Sequence, residues 1–188
     1  MHLRYNAEMR KLALLILLSV AYSFSVFASA PAPSVESLAA SILRMTSTPT
    51  WTPKQYRGVR GEKRVLEHAL LVSRESQAAG VDPILVAALI TNESSFRADA
   101  IGKAGEIGWM QVHPVHTAPG CEGDLREASA NLRCGLKELR AAIDACGSVE
   151  AALRRYNAGQ CDSEAGAGYA RRVLRLVERG KGVVVASK

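Results

Sequence analysis

The pattern of apolar and polar positions predicts a helix near the middle of the chain that is buried on every side. Asp82 and Pro83 suit a helix N-cap and the first helical residue, because proline's missing N–H costs nothing there. Residues 84–90 follow as an unbroken apolar run, I-L-V-A-A-L-I, without a polar face. In a chain of 188 residues, such a run indicates a helix enclosed in the core of the domain.

Amphipathic periodicity predicts further helices on both sides of this segment. The sequence T-S-T-P-T-W-T-P-K-Q-Y interrupts the pattern and indicates a linker, interpreted either as a tether packed on the domain or as a docking segment for a partner. The expected helices span residues 34–45, 63–79, 83–95, 130–146, 148–158 and 169–177. The fold class is therefore all-α.

Polarity returns abruptly in the last turn of the central helix, at T-N-E-S-S. Glu93 is then placed where a buried helix emerges, near the negative end of the helix dipole and beside apolar Phe96. Burial and the dipole both penalise the ionised form, so we expect a raised pKa for Glu93. A carboxylic acid that stays protonated near neutral pH is suited to general acid catalysis.

Spaced glycines follow this carboxylate. Gly102, Gly105 and Gly108 recur every third residue, which permits positive φ and a close approach of the backbone to a ligand. Gln111 adds an amide that both donates and accepts hydrogen bonds. A dinucleotide-binding loop has similar spacing, but it must follow a strand, and none is predicted here. We therefore expect a cradle for a polar substrate.

Four ordered motifs resemble those of soluble lytic transglycosylases, relatives of goose-type lysozyme. They are E-S-x-F from Glu93, G-x-x-G-W-M-Q from Gly105, A-L-R-R-Y-N-A-G from Ala152 and Y-A-R-R-V from Tyr169. N-x-x-x-G, at Asn131, is similar to a further element of the family. The resemblance covers roughly the last two thirds of the chain and implies a lysozyme-like single domain with a catalytic cleft.

The resemblance also implies roles for individual residues. Glu93 would protonate the glycosidic oxygen between N-acetylmuramic acid and N-acetylglucosamine, then accept the proton of the sugar's 6-hydroxyl to give a 1,6-anhydro product. Tyr169 would hold Glu93 in place by a hydrogen bond. The expected substrate-binding residues are Ser94, Trp109, Met110, Gln111, Tyr156, Asn157 and Tyr169. Glycan strands of peptidoglycan are the implied substrate, without a cofactor.

Three positions depart from the family pattern. Gly102 stands where many members have a serine, which puts any role of that hydroxyl in doubt. Trp109 replaces a commoner leucine and is either a sugar-stacking platform or core. Glu106 replaces a small residue and offers a second carboxylate that would activate water, so lysozyme-type hydrolysis is the alternative reaction. A non-catalytic peptidoglycan-binding scaffold is the alternative from another functional class.

The first 28 residues have the features of a secretory signal peptide. Basic residues precede an apolar run, residues 12–27, which ends in V-F-A-S-A, and we place the cleavage site after Ala28. An uncleaved membrane anchor is the alternative, although the run is short for a full span. The expected location is the periplasm. The remaining domain limits are 29–62 for an extension and linker, 63–179 for the transglycosylase domain and 180–188 for a tail, in which V-V-V is a candidate edge strand.

The four cysteines favour two disulfides, because their number is even and the chain is expected to be exported. Cys134 and Cys146 are placed on one helix, about 18 Å apart at 1.5 Å per residue, which excludes their pairing. Two connectivities remain. Pairing Cys121 with Cys134 and Cys146 with Cys161 is preferred, since each bond then closes a short loop.

The net charge of +6 and the pI near 9.4 change this picture little. A modestly basic exported domain suits the anionic cell wall, whereas nucleic acid is not an expected partner. His113 and His116 have a spacing that raises a metal site, but Pro114 between them and the lack of a third ligand argue against one. We expect a monomer, with an envelope-spanning secretion or conjugation complex as the candidate partner.

Overall fold

A computed structural model describes residues 32–48, 50–115 and 118–182, and these form helices joined by loops. The helices are α1 (Val35–Thr46), α2 (Gly58–Ala78), α3 (Pro83–Glu93), α4 (Ala128–Cys146), α5 (Val149–Ala158) and α6 (Glu164–Lys181), with a short 3-10 helix at Lys54–Tyr56. Within these ranges β structure is limited to isolated bridges, so the all-α prediction is confirmed. No helix in the described part is long and apolar enough to cross a membrane. The predicted signal peptide and the V-V-V segment lie outside the described residues.

Helix α3 is the buried central helix that the apolar run predicts. Its N-cap, Asp82, accepts a hydrogen bond from the Ile84 N–H at 2.8 Å, and Pro83 is the first helical residue. Residues 85–90 are each at most 4% exposed. Helices α1, α2 and α6 all pack against α3, which explains why it has no polar face.

The last helix extends further than its predicted limits of 169–177. It begins after Ser163, whose hydroxyl accepts a hydrogen bond from the Gly166 N–H, and it runs to Lys181. Gly166 lies against the backbone of α5, where a Cβ atom would come within 2.8 Å of Arg154. Gly166, one of the glycines that weaken this segment's helical pattern, therefore allows α5 and α6 to pack closely.

Helix α1 lies in the same core as the helices that follow it. Leu38 and Ile42 have no exposed surface, and α1 packs on α2, α3 and α6. The Arg44 Nε donates to the Gly180 carbonyl at 2.9 Å, which joins α1 to the end of α6. Further along, Tyr56 is 4% exposed, so the linker also contributes a residue to the core. The sequence-based limit at residue 63 does not mark an edge of the packed structure.

Two disulfides join the cysteines in the preferred pairs, and this prediction is confirmed. Cys121 is bonded to Cys134 with Cα atoms 5.0 Å apart, and Cys146 is bonded to Cys161 with Cα atoms 5.5 Å apart. Helix α4 carries Cys134 within it and ends at Cys146. The first bond therefore holds the loop before α4, and the second holds the segment that follows α5.

Candidate active site

Glu93 is the last residue of α3, and the backbone immediately after it turns back sharply. Ser95 and Phe96 both have left-handed φ values, 52° and 62°, which are uncommon for residues with a side chain. The Ser95 N–H donates to the Ile90 carbonyl at 3.0 Å, and Gln55 donates to the Ser95 carbonyl at 2.9 Å. The turn ends the helix at Glu93 and directs the Phe96 side chain into the core.

An aromatic cluster fixes this turn from behind. The Phe96 ring lies 5.1 Å from the Trp109 ring in an edge arrangement, and the His68 ring stacks on Phe96 at 5.5 Å. The Tyr56 hydroxyl shares a hydrogen bond of 2.8 Å with Nδ1 of His68. Burial lowers the pKa of His68 to about 4, so this histidine is neutral near pH 7. The packing of Phe96 in this cluster offsets the unfavourable backbone of the turn.

Trp109 belongs to this cluster and is 2% exposed. Of the two interpretations of Trp109, sugar platform or core, the structure therefore shows core. Ser94 is also buried, and its hydroxyl donates to the Trp109 carbonyl at 2.9 Å. Neither side chain faces the cleft, so their expected contact with substrate is not supported by their position.

The loop of residues 100–112 is held by backbone pairing and by one buried amide. Ile107 and Val112 exchange two backbone hydrogen bonds of 2.9 and 3.0 Å. The fully buried side chain of Asn131 accepts from the Met110 N–H at 2.8 Å and donates to the Ile107 and Leu125 carbonyls at 2.7 and 2.9 Å. Asn131 thus pairs the Met110 N–H and the Leu125 carbonyl, and it adds a second hydrogen bond to the Ile107 carbonyl.

Met110 and Gly135 explain the rest of the N-x-x-x-G element. The Met110 side chain is fully buried and rests on α4 at Gly135, where a Cβ atom would come within 2.6 Å of the Met110 sulfur. The absent side chain at Gly135 therefore lets the loop lie directly on the helix. Met110 reaches the site through its backbone, because its carbonyl accepts a hydrogen bond from the Tyr156 hydroxyl at 2.9 Å.

A cleft of about 740 Å³ lies between the end of α3, this loop, α4 and the end of α5. Four of the predicted site residues line it, and Asn157 among them is exposed. The lining residues are Glu93, Gly102, Lys103, Glu106, Gln111, His113, Ala118, Glu138, Ala141, Ala142, Arg155, Tyr156, Asn157 and Gly159. The fold thus brings together Glu93, Gln111, Tyr156 and Asn157.

The electrostatic surroundings of Glu93 agree with the expectation of a protonated carboxyl group. Burial raises the pKa of Glu93, and the negative charge of Glu106 raises it further. The hydrogen bond from Tyr169 and the positive charge of Arg172 lower the pKa and partly oppose this rise. Because burial is the largest cause, the acid form is favoured at a higher pH than for a glutamate in water.

Tyr169 is a buried residue of α6, and its hydroxyl donates a hydrogen bond to Oε1 of Glu93. The contact orients the carboxyl group, so that its other oxygen remains for a ligand. Tyr169 does not line the cleft, whereas half-buried Tyr156 does. The structure therefore places Tyr169 behind Glu93 and Tyr156 at the cleft wall.

Two departures from the family pattern, Gly102 and Glu106, occupy neighbouring positions in the cleft. A Cβ atom at Gly102 would come within 2.2 Å of Oε2 of Glu106 and within 2.7 Å of Oε1 of Gln111. The same Glu106 oxygen accepts a hydrogen bond from the Ala104 N–H at 3.0 Å. A side chain at position 102 would displace the Glu106 carboxylate, so the glycine and the glutamate are sterically linked.

Sequence reasoning missed Glu138, a third carboxyl group in the cleft. It lies three residues after Gly135 and seven after Asn131, so the helical repeat places all three on one face of α4. Burial raises the pKa of Glu138, and the backbone of Ala118 and the charge of His113 lower it. A carboxyl group on the buried face of an amphipathic helix was the signal that would have identified it.

The structure describes only one of the two histidines considered for a metal site, because His116 lies outside the described residues. The His113 Nε2 atom is 3.0 Å from the Ala104 carbonyl oxygen. In the described ranges, no group of three or more His, Cys, Asp or Glu side chains has the arrangement of a metal site.

Comparisons with known proteins are consistent with this geometry. The family model of the transglycosylase SLT domain matches residues 71–172, which is more than half of the chain. Among solved structures, an inactive glutamate-to-glutamine mutant of the lytic transglycosylase Slt from Pseudomonas aeruginosa is similar, with a TM-score of 0.51 and 18% identity. The alignment covers 65% of this chain and 28% of that one, so the likeness shows a shared fold over part of a larger protein.

Proposed function

The chain belongs to the transglycosylase SLT domain family, and on this basis we propose that it is a peptidoglycan lytic transglycosylase. The bond cleaved is the β-1,4 linkage between N-acetylmuramic acid and N-acetylglucosamine. The observation that carries the proposal is the half-buried Glu93 carboxyl group at the cleft, held by the Tyr169 hydroxyl. A carboxyl group in this setting can give up a proton and take one back.

The proposed reaction uses that one carboxyl group twice. Protonated Glu93 donates its proton to the glycosidic oxygen, and the bond from that oxygen to C1 of the muramic acid breaks. The Glu93 carboxylate then accepts the proton of the 6-hydroxyl, whose oxygen bonds to C1 and gives the 1,6-anhydro ring. Atoms and charge balance without water and without a nucleophile from the protein.

The surrounding residues have supporting roles in this proposal. Burial keeps Glu93 protonated for the first step, and Tyr169 aligns the carboxyl group for both steps. Tyr156, Asn157 and Gln111 line the cleft where the sugar rings would bind. Asn131 holds the loop that carries Gln111, although it does not itself reach the cleft.

The variant Glu93→Gln tests the assignment. The amide is nearly isosteric but transfers no proton, so digestion of peptidoglycan should fall about a thousandfold or more. The folded-state pKa of Glu93 is raised, so the native protein loses stability as pH rises through that pKa. The melting temperature of the variant should therefore equal that of the wild type near pH 4 and match or exceed it near pH 8. Glu122→Gln, an exposed substitution, is the control.

Near-normal digestion by Glu93→Gln would contradict the assignment. A wild-type protein that binds peptidoglycan but gives no zone of clearing in a zymogram would instead support the non-catalytic scaffold. Mass spectrometry of wild-type digests should show muropeptides that end in anhydro-muramic acid, lighter by one water than lysozyme products.

Lysozyme-type hydrolysis is the second candidate, because Glu106 lies in the same cleft and its charge acts on Glu93. A carboxylate there would activate a water molecule to attack C1. Digestion in oxygen-18 water separates the two reactions: anhydro ends carry no label, whereas hydrolysis gives hydrated, labelled ends. If labelled ends appear and Glu106→Gln removes them, the product part of the proposal is wrong.

The proposed location is the periplasm, and the proposed setting is the opening of the cell wall for a secretion or conjugation apparatus by a monomeric enzyme. The expectation of export and the peptidoglycan substrate support this setting. A strain whose only copy of the protein is the Glu93→Gln variant should grow normally but assemble few secretion or conjugation complexes. Slow growth with normal assembly would instead indicate routine wall turnover.

A further inference from the structure

The proposed reaction gives no role to Glu138, although this residue lines the cleft. Its Oε1 atom is buried and has no hydrogen-bond partner among the described residues. Buried polar atoms are almost always paired, and a carboxylate oxygen left unpaired lowers stability more than an unpaired hydroxyl does. Oε1 is covered in the ligand-free protein, but Glu138 lines the cleft, so a ligand bound there can supply the missing donor once the carboxyl group turns toward it.

The position of Glu138 is set by the same helix that fixes the active-site loop. On α4, Asn131 and Gly135 hold the loop on the face that also carries Glu138. Burial raises the pKa of Glu138, whereas the nearby Ala118 backbone lowers it by favouring the charged form. Tyr156, Glu138 and Glu93 all line the cleft, and the pKa of Tyr156 is raised by burial and further by the negative charges of both carboxyl groups.

We propose that Glu138 is a substrate-binding residue whose Oε1 accepts a hydrogen bond from a hydroxyl or amide N–H of a sugar ring in the cleft. The inference rests on the proposed function, because it takes a glycan of N-acetylated sugars as the ligand. Such a glycan has neutral donors along its whole length. The cleft wall carries Lys103 and Arg155 as well as its carboxylates, so the lining does not select a cationic ligand.

The variant Glu138→Gln isolates this contact. An amide has one oxygen, which the Ala118 backbone favours on its side of the carboxyl group, so we expect the NH₂ group in the position of Oε1. An acceptor is thereby replaced by a donor with almost no change of shape. We expect kcat/KM on peptidoglycan to fall about tenfold or more, mainly through KM, with an unchanged or higher melting temperature.

Binding without turnover gives a second measurement. In the Glu93→Gln background, a hexamer of β-1,4-linked N-acetylglucosamine is titrated by calorimetry, with and without Glu138→Gln. The dissociation constant should rise about tenfold when Glu138 is changed. The control is Glu122→Gln, which changes an exposed carboxylate outside the cleft lining and should alter neither value.

The outcomes separate this inference from the function on which it rests. A wild-type protein that releases no muropeptides would overturn the proposed function. An active wild type, together with unchanged kcat/KM and hexamer affinity in Glu138→Gln, would overturn the role of Glu138 alone. A lower melting temperature with unchanged KM would show that Glu138 serves only the structure.

Discussion

The Tyr169 hydroxyl reaches Glu93 across 76 residues of sequence, and the two side chains act as a unit. The contact lowers the pKa of Glu93, whereas burial, the larger cause, raises it. At this scale the tyrosine has two effects, since it aligns the carboxyl group and limits how far its pKa rises. Alignment affects kcat, whereas the pKa of Glu93 affects the pH dependence of kcat/KM.

Tyr169→Phe removes the hydrogen bond and keeps the ring. The pKa of Glu93 should rise further, so the limb of the kcat/KM profile that falls with increasing pH should move to higher pH. Loss of alignment should lower kcat about tenfold or more. The free energy of unfolding should drop by about 1–3 kcal/mol, because a buried oxygen loses its partner.

Tyr156→Phe is the matched control for this pH profile. Its hydroxyl donates to the Met110 carbonyl and not to Glu93. Removing it can reduce activity through the loop, but the alkaline limb should stay in place. A similar shift of the limb in both variants would show that the Tyr169 hydroxyl has no specific effect on Glu93.

At the scale of the elements, helix α4 both lines the cleft and supports the loop beside it. One face of this helix pairs the loop backbone through Asn131, admits Met110 at Gly135 and presents Glu138 to the cleft. A disulfide at Cys134 also ties α4 to the loop before it. The helix is therefore a rigid support for the part of the site that α3 does not provide.

Gly135→Ala tests the contact between helix and loop. The added methyl group would come within 2.6 Å of the Met110 sulfur and 2.7 Å of its Cβ, so the loop must move. We expect a loss of about 1–3 kcal/mol in the free energy of unfolding, measured by urea denaturation, together with reduced activity.

Gly168→Ala, within helix α6, provides the matched comparison. Its added methyl group would meet only the Arg172 and Arg171 side chains, at 3.6 and 4.0 Å. An alanine in an open helical position should stabilise the protein by about 0.5–1 kcal/mol. Equal effects of the two substitutions would mean that helix propensity, and not the contact with Met110, decides the outcome at Gly135.

For the whole molecule, the core includes more of the chain than the motifs cover. Helix α1 precedes the family match at residues 71–172, yet it packs on α2, α3 and α6. Because α3 ends at Glu93, a helix that buries α3 also supports the position of the carboxyl group. Residues before the four motifs thus contribute to the site through packing.

Ile42→Ala measures this contribution. Ile42 has no exposed surface, so the truncation should cost about 2–5 kcal/mol in the free energy of unfolding. Ser37→Ala changes an exposed residue of the same helix and should stay within about 0.5 kcal/mol. If Ile42→Ala has no effect, α1 is not part of the folded core in solution.

The sequence by itself determined the elements whose signals are local. An apolar run after Asp-Pro was sufficient for α3, and a helical spacing of twelve residues excluded one cysteine pairing. The motif order identified the family, and the position of Glu93 at the end of a buried helix indicated its raised pKa. These inferences succeeded because each rests on a local pattern or on the order of short motifs along the chain, and none requires knowing which distant segments are in contact.

Only the tertiary structure decided which side chains face the cleft. Trp109 and Ser94 were expected to bind substrate, but they are buried in the core, because the left-handed turn at Ser95 and Phe96 builds an aromatic cluster behind Glu93. Glu138 reaches the cleft from α4, and Gly102 makes room for Glu106. These positions depend on burial and on contacts between segments that are distant in the sequence. A local sequence pattern does not specify which distant segment each one packs against.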